Sequence, residues 1–230
     1  MTTTTSYGYS QLAELMSLMT GDEKHDLSAT STLDAIWVLY DQVLRVDPQR
    51  PDDPDRDRFL LSKGHGPMAY YAVLAARGFI DIDELRDFSS LNSRLGHHPD
   101  RVLIPGVEIS SGSLGHGLGL AVGTALGLGL TGHPDSKVVV LLGDAELEEG
   151  SNAEAIQLAG RLGLHRLLAV VIDNSSAALG WPGGIARRFT EEGWSSAEVD
   201  GRDHAALARA YAAGAPDRPH VVIARVEGKN

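Results

Sequence analysis

The chain has 230 residues, enough for one domain with a full apolar core, and one domain is what we expect over residues 1–230. With 43% hydrophobic and 22% charged residues it has an ordinary globular balance, and no apolar run approaches the roughly 20 residues that span a bilayer. Zero cysteines exclude disulfides, thiolate zinc sites and cysteine nucleophiles, and a formal charge of −11 argues against a nucleic-acid partner.

The opening Met-Thr-Thr-Thr-Thr-Ser lacks a basic segment followed by an apolar core, so it does not read as a secretory signal. Residues 1–10 read as a loose tail and the cytoplasm as the location. Apolar residues at helical spacing predict a helix over Leu33 to Leu44, and the proline-rich stretch from Asp47 to Pro54 reads as a loop. Eight glycines between Gly112 and Gly132, alternating with Leu, Ala and Val, suggest a helix opened by glycine and packed closely on a neighbour. Lys137 to Leu142 and Leu167 to Ile172 read as strands buried on both faces. Between them Ser151 to Leu162 reads as a helix capped by Ser151 or Asn152, which makes a βαβ unit. A short strand over Ser195 to Val199, a helix over His204 to Ala213 and a strand over His220 to Val226 follow. The class is α/β, with a mostly parallel sheet flanked by helices.

The two central strands end on polar residues, the first on Gly143-Asp144 and the second on Asp173-Asn174. In parallel α/β sheets the carboxyl ends of the strands face the ligand crevice. Taken alone, Asp144 could equally cap the next turn. Asn174, 174 − 144 = 30 residues on, adds a second oxygen donor at the same edge. A carboxylate beside a carboxamide, with no thiol and no close His pair, suits a hard cation such as Mg²⁺ or Ca²⁺, whose coordination a diphosphate would complete.

Gly143-Asp144-Ala145 followed by Asn174 resembles the thiamine-diphosphate signature, and the segment between them resembles transketolase specifically. Four further blocks resemble that family in its order: "DRDRFLLSKGHGPMAYYAVLAARGFI" (55–80), "LRDFSSLNSRLGHHPD" (85–100), "GVEISSGSLGHGLGLAVGTALG" (106–127) and "GWSSAEVDGRDHAAL" (193–207). The resemblance implies a thiamine-diphosphate-binding fold of the PP (pyrophosphate-binding) type. It assigns the metal, Mg²⁺ or Ca²⁺, to Asp144, Asn174 and the main-chain carbonyl of Ser176. It assigns cofactor contacts to Gly143, to the backbone N–H of Ala145, and to Gly112 and Leu114 of Gly-Ser-Leu-Gly-His-Gly. His65 and His98 match histidines that bond the cofactor and the substrate hydroxyls, and His25 falls where the family has a further one. Glu149 matches a glutamate at the interface of two active sites, whereas Glu146 and Glu148 read as a solvated acidic turn. The sequence departs from the family pattern at Ala145 and Ser175, where the family has glycine.

The implied activity is transfer of a two-carbon ketol unit from a ketose donor to an aldehyde acceptor. The pyrimidine-binding domain that family members need lies outside these 230 residues, so the resemblance implies an α2β2 assembly with a separate partner subunit, and no nucleic acid or membrane. Three alternatives stand beside this reading: a cofactor-free assembly subunit, a deoxyxylulose-phosphate synthase-like enzyme, and an oxo-acid dehydrogenase component. A nicotinamide fingerprint at Gly115-x-Gly117 lacks the preceding strand and the following acid. A metal site from His65, His97, His98 and His116 lacks helical His pair spacing.

Overall fold

The computed structural model describes residues 7–20 and 26–228. Five strands form one sheet: β1 (Arg58–Leu61), β2 (Val138–Gly143), β3 (Leu167–Asp173), β4 (Ser195–Asp200) and β5 (His220–Arg225). Their order is β1-β2-β3-β5-β4, and every pair is parallel. The two strands expected to be buried on both faces, β2 and β3, are interior, and so is β5, because both faces of each are covered. β4 alternates half-buried and exposed residues and lies at an edge.

Side chains along β2 divide between two apolar layers with the period of 2 that a strand requires. Val139 and Leu141 pack with α1 (Leu12–Ser17), α2 (Asp26–Val38), α3 (Met68–Ala76) and, further along the sheet, α7 (His204–Ala212). Val138, Val140 and Leu142 pack with α4 (Gly117–Leu130) and α5 (Gly150–Arg161), and α6 (Ile185–Thr190) joins the same layer. Among the described residues no helix is long and apolar enough to cross a membrane.

Three local expectations are corrected. Within the tail expected over residues 1–10, Tyr9 is anchored: its hydroxyl donates to the buried Asp34 at 2.6 Å and its ring meets His204 edge-on. Burial and the Asp34 contact raise the Tyr9 phenol to about 12. The N-cap of α5 is Glu149, with no side-chain cap bond, because Ser151 and Asn152 are drawn into tertiary contacts: Ser151 Oγ donates to Gly115 O (2.8 Å) and Asn152 Nδ2 to Glu146 O (2.6 Å). In α4 only the first glycine is needed for close packing. A Cβ on Gly117 would lie 2.3 Å from Ser62 Cβ, whereas Gly119, Gly123, Gly127 and Gly129 have open space.

Candidate active site

Parallel pairing sets the edge. Gly143 pairs with Ile172, and the Asp144 N–H donates to Ile172 O at 3.0 Å, so the chain leaves β2 and β3 side by side. Asp144 is 1% exposed and Asn174 2%. The Asp144 carboxylate accepts three bonds from the loop after β3: the Ser176 N–H at 2.6 Å, the Ser176 hydroxyl at 2.5 Å and the Ala177 N–H at 3.1 Å. Asn174 Oδ1 is buried without a hydrogen-bond partner among the described residues. A buried amide oxygen left unsatisfied is costly in a folded protein, and here it lies at the strand end beside a carboxylate. The donors are all oxygen, which fits a hard cation held partly by phosphate oxygens.

The two departures from the glycine pattern have opposite outcomes. Ala145 opens a 3-10 turn (Ala145–Glu148) and is not among the residues with positive φ, so alanine carries no strain there. Ser175 sits at φ +57, in the left-handed region that favours glycine, with its N–H on Asp173 Oδ1 at 3.2 Å.

The second half of the site is a loop cluster. His98 Nδ1 donates to Gly64 O at 3.0 Å, which fixes the ring and leaves Nε2 outside that bond. The ring packs on Gly112, where a Cβ would lie 3.0 Å from His98 Cδ2 and φ is +123. Gly64 in turn sits against the Gly112 backbone, so His65, the next residue, is brought to this cluster and is exposed. Leu114 is 54% exposed, and Gly115, at φ +79, packs on the Glu149 side chain. Glu149 is exposed at the lip of the loop. His97 bonds Ser89 Oγ (2.8 Å) and meets Phe88 edge-on, so it serves the neighbouring loop. Among the described residues no group of three or more His, Asp or Glu is placed to hold a metal, which leaves the four-histidine alternative without support. His25 lies outside the described residues.

The reading of Glu146 as a solvated residue is corrected: it is 2% exposed. Its carboxylate accepts from Ser62 Oγ, from the Gly115 N–H (3.1 Å) and from the Gly143 N–H (3.3 Å). Burial raises its pKa, against the opposing pull of these bonds and of Lys63. Glu148 is half-buried and accepts from the Leu179 N–H at 2.6 Å. Sequence reasoning missed Glu146 because it stands among acids, but its spacing was informative: in a single turn, residue 146 returns to residue 143.

An all-parallel sheet with a buried carboxylate and carboxamide at adjacent strand ends, beside a glycine loop, is the architecture of α/β proteins that take ligands at the carboxyl edge. Within that class the chain belongs to the transketolase family: the family "Transketolase, thiamine diphosphate binding domain" matches residues 18–227. It is 53% identical over 222 residues to Ferredoxin fas2 of Rhodococcoides fascians (96% of this chain, 73% of that protein). It is 35% identical over 207 residues to an Apulose-4-phosphate transketolase subunit of Actinobacillus succinogenes (87% and 75%). The transketolase structure from Leishmania mexicana superposes with a TM-score of 0.77 at 27% identity, covering 95% of this chain and 36% of that one. The fold is thus the PP type of these enzymes. Several matched transketolases are much longer, the chain spanning 25% to 31% of their length. Having no cysteine, this chain offers no thiolate to an iron–sulfur cluster, whatever the name of the Rhodococcoides protein.

Proposed function

We propose that this chain is the diphosphate-binding subunit, a single PP domain, of a two-component transketolase that moves a two-carbon ketol unit from a ketose, free or phosphorylated, to an aldehyde acceptor. The observation that carries the reading is the buried Asp144–Asn174 pair, with Asn174 Oδ1 unpartnered among the described residues. Asp144, Asn174 Oδ1 and the Ser176 carbonyl would hold Mg²⁺ or Ca²⁺. The Ala145 N–H and Gly143 would meet the diphosphate, and Gly112 and Leu114 the thiamine. When bound, thiamine diphosphate supplies the carbon-centred nucleophile that ketol transfer needs.

This chain's own residues would bind and orient: His98, held through Nδ1 on Gly64 O, would offer Nε2 to the substrate hydroxyls, with His65 of the adjoining loop and His25 as further candidates. Glu149, exposed at the loop lip, would meet a second site across an interface. A separate subunit with the pyrimidine-binding domain would complete the site in an α2β2 assembly in the cytoplasm. The coverage of relatives supports this reading: the chain matches three quarters of the Actinobacillus transketolase subunit but about a quarter to a third of the longer enzymes. The 14 residues of α4 also support it, since none is charged although Gly119, Leu120, Gly123 and Leu130 are exposed. The unstrained Ala145 weighs against a cofactor-free assembly subunit.

The test is ketol transfer by the purified chain alone and with a separately produced pyrimidine-domain subunit, both with Mg²⁺ and thiamine diphosphate. Turnover is expected only from the mixture. Robust turnover by this chain alone would refute the two-component reading.

A further inference from the structure

Glu146 is the buried charge for which the proposed chemistry has no use. At 2% exposure its carboxylate joins the three segments that make the cofactor edge. Ser62 follows the end of β1, Gly115 belongs to the glycine loop, and Gly143 closes β2; each donates to it. The arrangement continues one bond further, since the Ser62 hydroxyl also accepts from the Gly117 N–H at 2.9 Å at the start of α4. Glycine is required at both loop positions, because a Cβ would lie 2.5 Å from Glu149 Cβ at Gly115 and 2.3 Å from Ser62 Cβ at Gly117. A carboxylate buried among neutral donors is an expensive way to close a turn, and a serine or asparagine would do that at lower cost. What the carboxylate adds is two oxygens that serve three donors on separate segments at once.

We propose that Glu146 is a positioning residue for thiamine diphosphate: it locks the Gly112–Gly117 loop to the ends of β1 and β2. Gly112 and Leu114, which would line the thiamine, are thereby held at a fixed distance from the Asp144 edge, which would take the diphosphate. This inference rests on the reading of that edge as the cofactor site.

The test uses the full chain reconstituted with the pyrimidine-domain subunit, Mg²⁺ and thiamine diphosphate, comparing wild type with Glu146→Gln, Ser62→Ala and the double variant, each shown to be folded by circular dichroism. The readouts are calorimetric affinity and hydrogen exchange at Gly115 and Gly117. Each single variant is expected to weaken binding about tenfold, the loss expected for a bond to a buried charged acceptor. The double variant is expected to lose less than the product of the two, because both act through one contact. Exchange at Gly115 and Gly117 should quicken while β3 and β5 stay protected. Glu146→Leu, which keeps no acceptor, should be worse than Glu146→Gln, and if it fails to fold the other variants carry the test. Wild-type affinity in every folded variant, or exchange that quickens throughout the sheet, overturns the proposal. A wild-type complex that shows no binding overturns the cofactor reading itself, and this inference with it.

Discussion

The unpartnered oxygen of Asn174 makes a prediction about stability that depends on ligand. Burying an amide oxygen without a partner costs about 1–3 kcal/mol. Asn174 is 2% exposed, so solvent gives it little relief. Asn174→Leu keeps roughly the same volume and removes that oxygen, so without metal and cofactor the variant should be at least as stable as wild type, by up to about 2 kcal/mol. With Mg²⁺ and thiamine diphosphate the order should reverse. A ligand at about a hundredfold excess over its Kd stabilises the folded state by about 2.7 kcal/mol, and the variant should forfeit most of this. For a chain of this size 1 kcal/mol moves the melting midpoint by about 2–4 °C, so the crossing is measurable by scanning calorimetry with and without the two ligands. A variant that is less stable under both conditions, with the same ligand-induced shift as wild type, would show that Asn174 is a structural amide, and the reasoning fails.

Ser175→Gly should stabilise the chain by about 1 kcal/mol in urea unfolding, because serine at φ +57 bears a left-handed penalty that glycine does not; a loss of stability would contradict this. Gly160→Ala should be among the most damaging single changes, since the new Cβ would stand 1.8 Å from the Glu192 carbonyl oxygen. A cost of about 3 kcal/mol or more is expected, read as a fall in the urea midpoint. His220 is buried against Ser195 Oγ (2.8 Å) and Ala210 O (3.1 Å), and burial lowers its pKa below the usual 6.5. The unfolded chain therefore binds the extra proton more readily, so this share of stability is full above about pH 6.5 and is lost as pH falls through the folded-state value. Subtracting the pH profile of His220→Gln from that of wild type should isolate a term that declines below pH 6.5; a flat difference would rule it out.

The parts of the fold that read directly from the sequence are those where burial on two faces leaves only one composition possible. The runs at Lys137 to Leu142 and Leu167 to Ile172 read as strands buried on both faces and are interior, as is the strand expected over His220 to Val226, and Asp144 and Asn174 stood out because each followed one of the first two runs. Strand β1 has only four residues and opens on Arg58, too short and too polar at its start for periodicity to mark it. Glu146 was hidden for a different reason. Its nearest sequence neighbours are acids and a turn, and its burial is made by Ser62 and Gly115, 84 and 31 residues away. The cap of α5 was misread for the same cause, because tertiary partners outcompete a local cap for Ser151 and Asn152.

The sheet contains its own control for treating the carboxyl edge as a ligand site. At the amino end of β1 the carboxylate of Asp57 is fully buried, and it is matched by the Arg45 guanidinium at 3.0 Å, the Arg45 N–H at 2.8 Å and the Lys137 N–H at 2.8 Å. That is how this fold satisfies a buried acid whose work is structural: with a cation and backbone donors in place. At the opposite edge Glu146 is bonded by neutral donors with only the longer-range pull of Lys63, Asn174 Oδ1 has no partner among the described residues, and Ser175 holds a left-handed φ. These three unfavourable features lie within 30 residues of sequence at the carboxyl ends of β2 and β3, which is where the proposed cation and diphosphate would bind. The same reasoning applies to Asp144, which has three hydrogen bonds and, among the described residues, no side-chain cation for a partner, where Asp57 has Arg45.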